Sequence, residues 1–236
     1  MTGFLYIDGN NLNTLYDLFI TDSGIYDAPA RNIERISVPG KSGDLVIDKG
    51  TFANVSVRFP AFIINDMEQN ADALRNFLTS AAGYRRIETS FMPDEYRLGF
   101  LSKEFELDNI SEEIGTFDLE FNCKPQRFLK SGETSIEVAD GDDVVNPTSF
   151  DAKPLIRIYG YGTIGIGSQT FTVASPGSDY IDIDCDMMDC FYGAVNKNSF
   201  VTFTGGEFPV LHSGTNAVSI SRNITKLKIT PRWWKI

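Results

Sequence analysis

The sequence contains few of the residues that build metal sites and nucleophilic catalytic sites. Its 236 residues include three cysteines and one histidine, whereas a structural zinc site takes four sulfur or nitrogen ligands. The cysteines, Cys123, Cys185 and Cys190, are too few and too widely spaced for a disulfide framework. We therefore expect buried, reduced thiols, no metal site and no cofactor.

Basic residues and long apolar runs are lacking as well. The 21 Lys and Arg residues are outnumbered by 32 Asp and Glu residues, so the formal net charge is −11. A surface that binds nucleic acid needs concentrated Lys and Arg. No apolar run approaches the roughly 20 residues of a membrane-spanning helix, and the first residues lack the layout of a signal peptide. We expect binding to neither nucleic acid nor membrane, and synthesis in a cytoplasm.

The apolar residues that are present mostly follow the period of β-strands. Between Phe52 and Phe62, apolar Val55, Val57 and Phe59 alternate with polar residues, as in a half-buried strand. Short strands separated by turn signals follow from Leu155 to the end, which is typical of a sandwich or barrel. The predicted fold class is therefore mainly β.

One segment has the period of a helix. Asn65 is suited to the N-cap, Glu68 stands at the capping-box position, and an apolar stripe follows from Met67 to Ala81. Gly83 is predicted to stop the helix. The stripe indicates packing against a sheet and carries no chemistry of its own.

The acidic turn Asp140-Gly141-Asp142-Asp143 and the two prolines that follow it mark a change along the chain. Pro147 and Pro154 exclude a helix, because each fixes its own φ and restricts the residue before it. Residues 131–146 are predicted to join two domains, which would occupy residues 1–130 and 131–236.

Two glycine-rich motifs resemble nucleotide-binding loops but lack the required context. Gly40-Lys41-Ser42 has Arg35 where a phosphate loop needs an earlier glycine, and strand residues follow it. The segment 160–165 reads G-x-G-x-x-G after a predicted strand, yet no helix begins there, as a dinucleotide site requires. We predict a glycine-rich hairpin at 160–165.

Three aspartates, Asp182, Asp184 and Asp186, match the start of a calcium-binding loop. The glycine and glutamate of that pattern are missing at 187 and 193. We predict a strand with the three carboxylates directed toward water, and weak calcium binding is the alternative. Four side chains of that strand would point inward: Ile181, Ile183, Cys185 and Met187.

The remaining candidate residues give no catalytic set. His212 has no serine or cysteine nearby in a nucleophile motif, and the carboxylates form no recognisable catalytic pair. Trp233 and Trp234 are adjacent, so on a strand one would fill the core. The other would mark a protein interface or a sugar platform. We expect a binding or structural protein, not an enzyme.

Three patches of sequence together resemble the distal tail proteins of phages with long, non-contractile tails. The first surrounds residues 31–54, the second runs from 146 to 216, and the third lies at 229–234. They keep the order of that family and span nearly the whole chain. The matching positions are Arg31, Val38, Pro39, Gly40, Gly43, Asp44, Asn146, Pro147, Lys153, Pro154, Gly160, Gly206, Phe208, Pro209, Gly214, Asn216, Pro231 and Arg232.

The resemblance implies a structural protein of the virion, located at the tail tip. Residues 1–130 would form a β-rich, ring-forming (belt) domain with one α-helix, and residues 131–236 a galectin-like β-sandwich. Six copies would form a ring through which DNA passes, assembled in the cytoplasm of the bacterial host. The implied partners are the tail-tube protein, the tip hub or tail-associated lysin, and a receptor-binding protein.

A second hypothesis is a carbohydrate-binding β-sandwich module that mediates adsorption to the host cell wall. Such a module needs an aromatic platform and clustered polar groups on one face of the sandwich. Galectins use His, Asn, Arg, Trp and Glu for this purpose, and that set is missing around His212. Since a fold alone does not confer function, we expect no sugar binding.

Overall fold

The computed structural model describes residues 2–22, 28–103, 108–111 and 114–236, the side chains of 108–111 excepted. Contacts divide the chain into two compact units, Met1–Arg127 with Ile236, and Phe128–Lys235. The described residues are mostly in β-strands, as predicted. None of the described helices is long and apolar enough to cross a membrane.

The first unit consists of one large antiparallel sheet, a separate hairpin and two helices. The sheet has the strand order β2-β1-β7-β8-β10-β6-β3, with β9 also on β10. Its elements are β1 (Leu5–Ile7), β2 (Asn10–Asn11), α1 (Leu12–Tyr16), β3 (Leu18–Ile20), β4 (Arg31–Ser37), β5 (Asp44–Phe52), β6 (Val55–Ile64), α2 (Met67–Thr79), β7 (Arg85–Thr89), β8 (Met92–Leu101), β9 (Asp108–Ser111) and β10 (Ile114–Leu129).

The core of this unit lies between α2 and the sheet. Val57 and Phe59 of β6 are buried with Leu74 and Leu78 of α2, whereas Arg58 between them is exposed. The predicted alternation of β6 is therefore confirmed. Deleting the side chain of a fully buried residue such as Leu74 would cost about 2–5 kcal/mol, because a cavity would remain.

Helix α2 is confirmed, but its predicted ends were wrong. Asp66 occupies the N-cap position at φ 36° without a side-chain cap hydrogen bond, and Asn65 precedes it. The helix stops at Thr79, before Gly83. In the last turn, hydroxyl groups share the carbonyls with the backbone amides: Thr79 Oγ1 donates to the Arg75 carbonyl (2.8 Å) and Ser80 Oγ to that of Phe77 (2.9 Å).

The second unit is a sandwich of two antiparallel sheets. One has the order β11-β21-β13-β16-β17-β18 and the other β12-β20-β14-β15-β19. Its strands are β11 (Ile136–Val138), β12 (Asp143–Asn146), β13 (Leu155–Gly160), β14 (Gly162–Ile166), β15 (Gln169–Val173), β16 (Ile181–Asp184), β17 (Asp189–Tyr192), β18 (Val195–Asn196), β19 (Val201–Phe203), β20 (Gly214–Ile220), β21 (Ile224–Thr230) and β22 (Trp234–Lys235). Short 3₁₀ helices occupy Lys130–Glu133 and Asn198–Phe200.

The inner faces of both sheets supply one apolar core. Ile156 of β13 and Leu227 of β21 are buried together with Ile164 of β14 and Phe171 of β15, which belong to the facing sheet. This arrangement follows from period-two alternation, which places every second side chain of each strand inside.

Two predictions about this unit have opposite outcomes. Residues 131–146 are not a simple join, because they contribute β11, which pairs with β21, and β12, which pairs with β20. The glycine-rich hairpin is confirmed, since β14 pairs with β15 and no helix follows Gly165. Gly160 lies at φ 100°, where a Cβ would collide with the Asn223 carbonyl.

Candidate interaction surfaces and the motif residues

The hairpin of β4 and β5 is the part of the first unit that most needs a partner. The two strands pair only with each other among the described residues. Nearly all their residues are exposed on both faces. An isolated two-stranded ribbon is at best marginally stable in water. Its length and exposure therefore point to a surface that another molecule covers.

The hairpin exposes aliphatic side chains on both faces. Ile36 lies opposite Leu45, and Ile47 lies two residues further along the same face. Ile33 and Val46 lie on the other face. Leu45 is 52% exposed and Val46 is 57% exposed. Contiguous exposed apolar side chains of this kind mark interaction sites.

All six N-terminal motif positions lie on this hairpin. Arg31 forms an ion pair with Asp48, and its guanidinium lies 4.9 Å from the centre of the Phe52 ring. The other five follow β4, lie in the turn or begin β5. They are Val38, Pro39, Gly40 at φ 79°, Gly43 at φ 86° and Asp44. These motif positions therefore cluster at the turn of the hairpin, apart from Arg31 at the start of β4.

In the second unit, two buried asparagines of the motif hold the loops at one end of the sandwich. Asn146 Nδ2 donates to the carbonyls of Phe150 and Leu211, both at 2.9 Å. Asn216 Nδ2 donates to the carbonyl of His212 at 2.9 Å, and its Oδ1 accepts from the His212 amide at 2.9 Å. Both side chains are at least 98% buried. Their amides replace backbone partners that the irregular loops cannot supply.

Most of the remaining motif residues of this unit lie in the loops between its strands. Lys153 Nζ lies 3.6 Å from the Asp186 carboxylate, and the Pro154 carbonyl accepts from the Cys185 amide at 3.1 Å. The Phe208 ring packs at a tilt against that of Phe203, with ring centres 4.3 Å apart. The other members are Pro147, buried Pro209 and Pro231, and Gly206 and Gly214 at positive φ.

The prediction for Asp182 and Asp184 was wrong, because both carboxylates are buried. Asp182 accepts two hydrogen bonds from Arg157, from Nε at 2.7 Å and Nη2 at 2.8 Å. Asp184 accepts two from Arg232, at 2.7 and 2.8 Å. Guanidinium groups thus cover the outer face of the strand, and their charge disfavours a calcium ion there.

The strand β16 also ends earlier than predicted. It stops at Asp184, whose Oδ1 accepts from the backbone amides of Asp186 and Met187, both at 3.0 Å. Ile181, Ile183 and Cys185 are buried as predicted, whereas Met187 lies in the turn and is 69% exposed. Burial raises the pKa of Asp184, but the hydrogen bonds from Arg232 and these amides outweigh it and hold the pKa below its ordinary value.

The two tryptophans differ in burial as predicted, although only Trp234 lies on a strand. Trp233 is buried in the core. Trp234 is half-buried, stacks on Phe150 with ring centres 4.5 Å apart, and donates from Nε1 to the Asp151 carbonyl. His212 Nδ1 lies 3.0 Å from the Asp151 carboxylate. Trp234 and Asp151 are 83 positions apart in the sequence, so the proximity of these residues was not predicted.

The described side chains give no sign of a catalytic or metal centre. No group of three or more His, Cys, Asp or Glu side chains that could hold a metal occurs among them. The three cysteines are buried and unpaired with one another. Burial raises the pKa of Cys123 to about 11 and that of Cys190 to about 12, which leaves both thiols protonated and unreactive near neutral pH.

Comparison with solved structures defines the class of fold. No family model matches the sequence, and no curated protein matches it. The structure nevertheless has the fold of a phage distal tail protein. It matches the crystal structure of the Dit (gp 19.1) protein of phage SPP1 with a TM-score of 0.78 and 10% sequence identity, over 99% of each chain. That protein is described as a paradigm of the hub adsorption apparatus in phages that infect Gram-positive bacteria.

This match confirms the resemblance and the mainly β fold class that the sequence predicts. At 10% identity it shows the fold alone. The galectin-like character of the sandwich and the boundary at 130/131 stay predictions, as do the roles given to the motif positions.

Proposed function

We propose that this protein is a structural subunit of a phage tail tip and that six copies form a ring. The ring connects the tail-tube protein to the tip hub and surrounds the path of the DNA. The fold likeness to the SPP1 protein supports the class. The observation that carries the proposal is the β4–β5 hairpin, because an exposed two-stranded ribbon with aliphatic side chains on both faces is at best marginally stable without a neighbouring molecule.

Ring formation is assigned to the first unit. The hairpin belongs to it, and the motif positions Arg31, Val38, Pro39, Gly40, Gly43 and Asp44 all lie on the hairpin. The ordered loops of the second unit, held by Asn146 and Asn216, suit contacts with the hub, the lysin or a receptor-binding protein. The protein is accordingly a non-enzymatic virion component, assembled in the host cytoplasm.

The net charge fits passage of DNA without retention. At −11, an assembly of several copies is strongly acidic and repels phosphate groups. A basic lining would bind DNA, because each neutralised phosphate releases counterions. We expect no affinity of the assembled ring for duplex DNA at low ionic strength, where attraction is least screened. Salt-sensitive binding in an anisotropy titration would contradict this part of the proposal.

Negative-stain microscopy and light scattering of the full chain over a concentration series test the ring itself. Six-fold rings are expected in the wild type. Leu45→Glu should shift the protein toward monomer, because it places a charge beside Ile36 and Ile47 on one face of the hairpin.

The matched control is Val145→Glu, which changes an aliphatic strand residue that is 58% exposed in the second unit. It should assemble as the wild type does. A wild-type protein that stays monomeric at the highest concentration, alone and with the tail-tube protein, would overturn the proposal.

A further inference from the structure

The turn between β16 and β17 carries the most exposed apolar side chains of the second unit. We call residues 185–188 the methionine turn, because they include Met187 and Met188. Met187 is 69% exposed and Met188 is 64% exposed, more than any other large apolar residue that the structure describes. Methionine is enriched at protein interfaces, since its unbranched thioether adapts to irregular apolar cavities. The exposed pair therefore indicates a contact site.

The backbone of the methionine turn does not favour a methionine at position 188. Met188 lies at φ 54°, in the left-handed region that glycine, asparagine and aspartate adopt most readily. Four of the other non-glycine residues at positive φ in the described part of the chain are Asp or Asn. The fifth is Arg232, at φ 60°. Met188 is thus the one apolar side chain among the described residues in this conformation.

Both unusual residues belong to the surroundings of the Asp184 carboxylate. Arg232 donates two hydrogen bonds to it, and the amide of Met187, next to Met188, donates a third at 3.0 Å. The turn is thereby held in one conformation, which lowers the entropy that a partner must remove on binding. Strained residues persist only where their surroundings fix them, and they cluster at functional sites. A glycine would suit the backbone at 188 better, so only a role of its side chain accounts for the methionine.

The charged groups beside the two methionines are mostly acidic. The side chain of Asp186 is 64% exposed, and the Lys153 ammonium lies 3.6 Å from it. Asp189 accepts hydrogen bonds from amide groups alone and has no cationic partner among the described side chains. The border of the turn is therefore negative overall, and the whole chain has a net charge of −11. Complementary charge on a partner means Lys or Arg beside an apolar socket, which a second copy of this acidic chain matches poorly.

We propose that the methionine turn is an anchor that inserts into an apolar socket with a basic edge on another protein of the tail tip. This inference rests on the proposed function, in which the chain is part of a virion. It goes further by naming the residues of a contact outside the ring interface and the chemistry of the surface that receives them. The anchor would behave as a hot spot, because a few buried side chains at the centre of an interface carry most of its binding free energy.

Oxidation by hydrogen peroxide tests whether another protein covers the turn. Peroxide transfers one oxygen atom to the thioether sulfur, giving a sulfoxide and water, and exposed methionines react first. Peptide mass spectrometry measures the oxidised fraction of Met187 and Met188 in the purified chain, in rings of this chain alone and in phage particles. Both should oxidise readily in the first two samples and about tenfold more slowly in the particles, where the socket shields them. Met67, which is 8% exposed, is the internal control and should react slowly in every sample.

Two outcomes would overturn the inference and leave the proposed function intact. Slow oxidation already in rings of this chain alone would mean that a second copy covers the turn. Equal oxidation in the free chain and in the particles would mean that nothing covers it. A third outcome, absence of this chain from the particles, would overturn the proposed function and the inference together.

Met187→Ser combined with Met188→Gly separates the contact from folding. Glycine relieves the strain at φ 54°, so the double variant should unfold at the same denaturant concentration as the wild type or at a higher one. Rings of the purified variant should form as those of the wild type do. A phage that encodes only the variant should yield about tenfold fewer infectious particles, because an anchor of the interface is lost. Val145→Ser, which removes an exposed aliphatic side chain elsewhere in the second unit, is the matched control and should leave the yield unchanged. A wild-type yield from the double variant would contradict the anchor.

Discussion

Replacing Arg232 with Met tests how much the ion pair between Arg232 and Asp184 stabilises the sandwich. The substitution removes the guanidinium that donates two hydrogen bonds to Asp184 and leaves a similar aliphatic stem. Asp184 has a side chain only 7% exposed, whereas that of Arg232 is 32% exposed. Breaking a fully buried pair costs roughly 3–5 kcal/mol, and an exposed pair contributes about 0–1 kcal/mol.

The expected loss lies between these limits. Asp184 keeps its hydrogen bonds from the amides of Asp186 and Met187 in the variant, so its charge is not left entirely without partners. We expect Arg232→Met to lower the free energy of unfolding by about 2–3 kcal/mol. Lys226→Met, which breaks the more exposed cross-strand pair with Glu137, should lower the free energy of unfolding far less, because solvent screens an exposed pair.

Denaturant unfolding followed by tryptophan fluorescence measures this loss locally. The chain has two tryptophans, and both lie in the second unit beside Arg232. The signal therefore reports unfolding of that unit. Equal losses for the Arg232 and Lys226 variants would refute the argument that burial of Asp184 decides the energy.

The pH dependence gives an independent check with a defined sign. The folded-state pKa of Asp184 is lowered, so the stability that the pair contributes is present above the unfolded pKa of about 3.9. It is lost as the pH falls through the lower, folded-state pKa. The difference between wild type and Arg232→Met should thus be constant near neutral pH and shrink below about pH 4.

Three further predictions concern a strained glycine, a buried asparagine and the three cysteines. Gly160→Ala should destabilise the second unit by roughly 1–3 kcal/mol in the fluorescence assay, because an L-residue is strained at φ 100° and its Cβ meets the Asn223 carbonyl. Asn216→Ala should cost about 1–3 kcal/mol in that assay, because it removes a buried side-chain amide that bonds the amide and carbonyl of His212 and the carbonyl of Val144; a neutral result would contradict this role of Asn216. The three thiols should react with Ellman's reagent only after unfolding in guanidinium chloride, since all are buried, and rapid labelling of the native protein would show the burial to be wrong.

The regular parts of both units could be predicted because their signals are local. Val55, Val57 and Phe59 alternate with polar neighbours, and that period alone places them inside. The apolar stripe of α2 likewise fixes its buried face. Its ends could not be fixed in the same way, because the hydroxyl groups of Thr79 and Ser80 compete for the last carbonyls.

The environment of Asp182 and Asp184 could not be predicted from the period-two alternation of their strand. Alternation correctly directs them away from the core, but it does not say what covers the outer face. Arg157 lies 25 residues before Asp182, and Arg232 lies 48 residues after Asp184. Only the register of the sheet brings these charges together.

The hairpin did carry a signal that its strands were unusual. Leu45, Val46 and Ile47 form a continuous apolar run, which is typical of a strand covered on both faces. Within one chain these residues are exposed on both faces instead. In the proposed assembly the missing cover lies on other molecules, where a pattern within one sequence cannot locate it.

In the proposed ring, the contact of the hairpin with a neighbouring copy has a consequence for infected cells. In the language of polymer chemistry, a wild-type copy is then a bifunctional monomer, since it offers its own hairpin to one neighbour and receives the hairpin of the other. A copy with a damaged hairpin can still receive a hairpin, so it is monofunctional and acts as a chain stopper. Such a copy would cap growing arcs of wild-type subunits before they close. Expressed beside an infecting phage, the Leu45→Glu protein would therefore be a dominant inhibitor of tail assembly, in proportion to its share of the subunit pool.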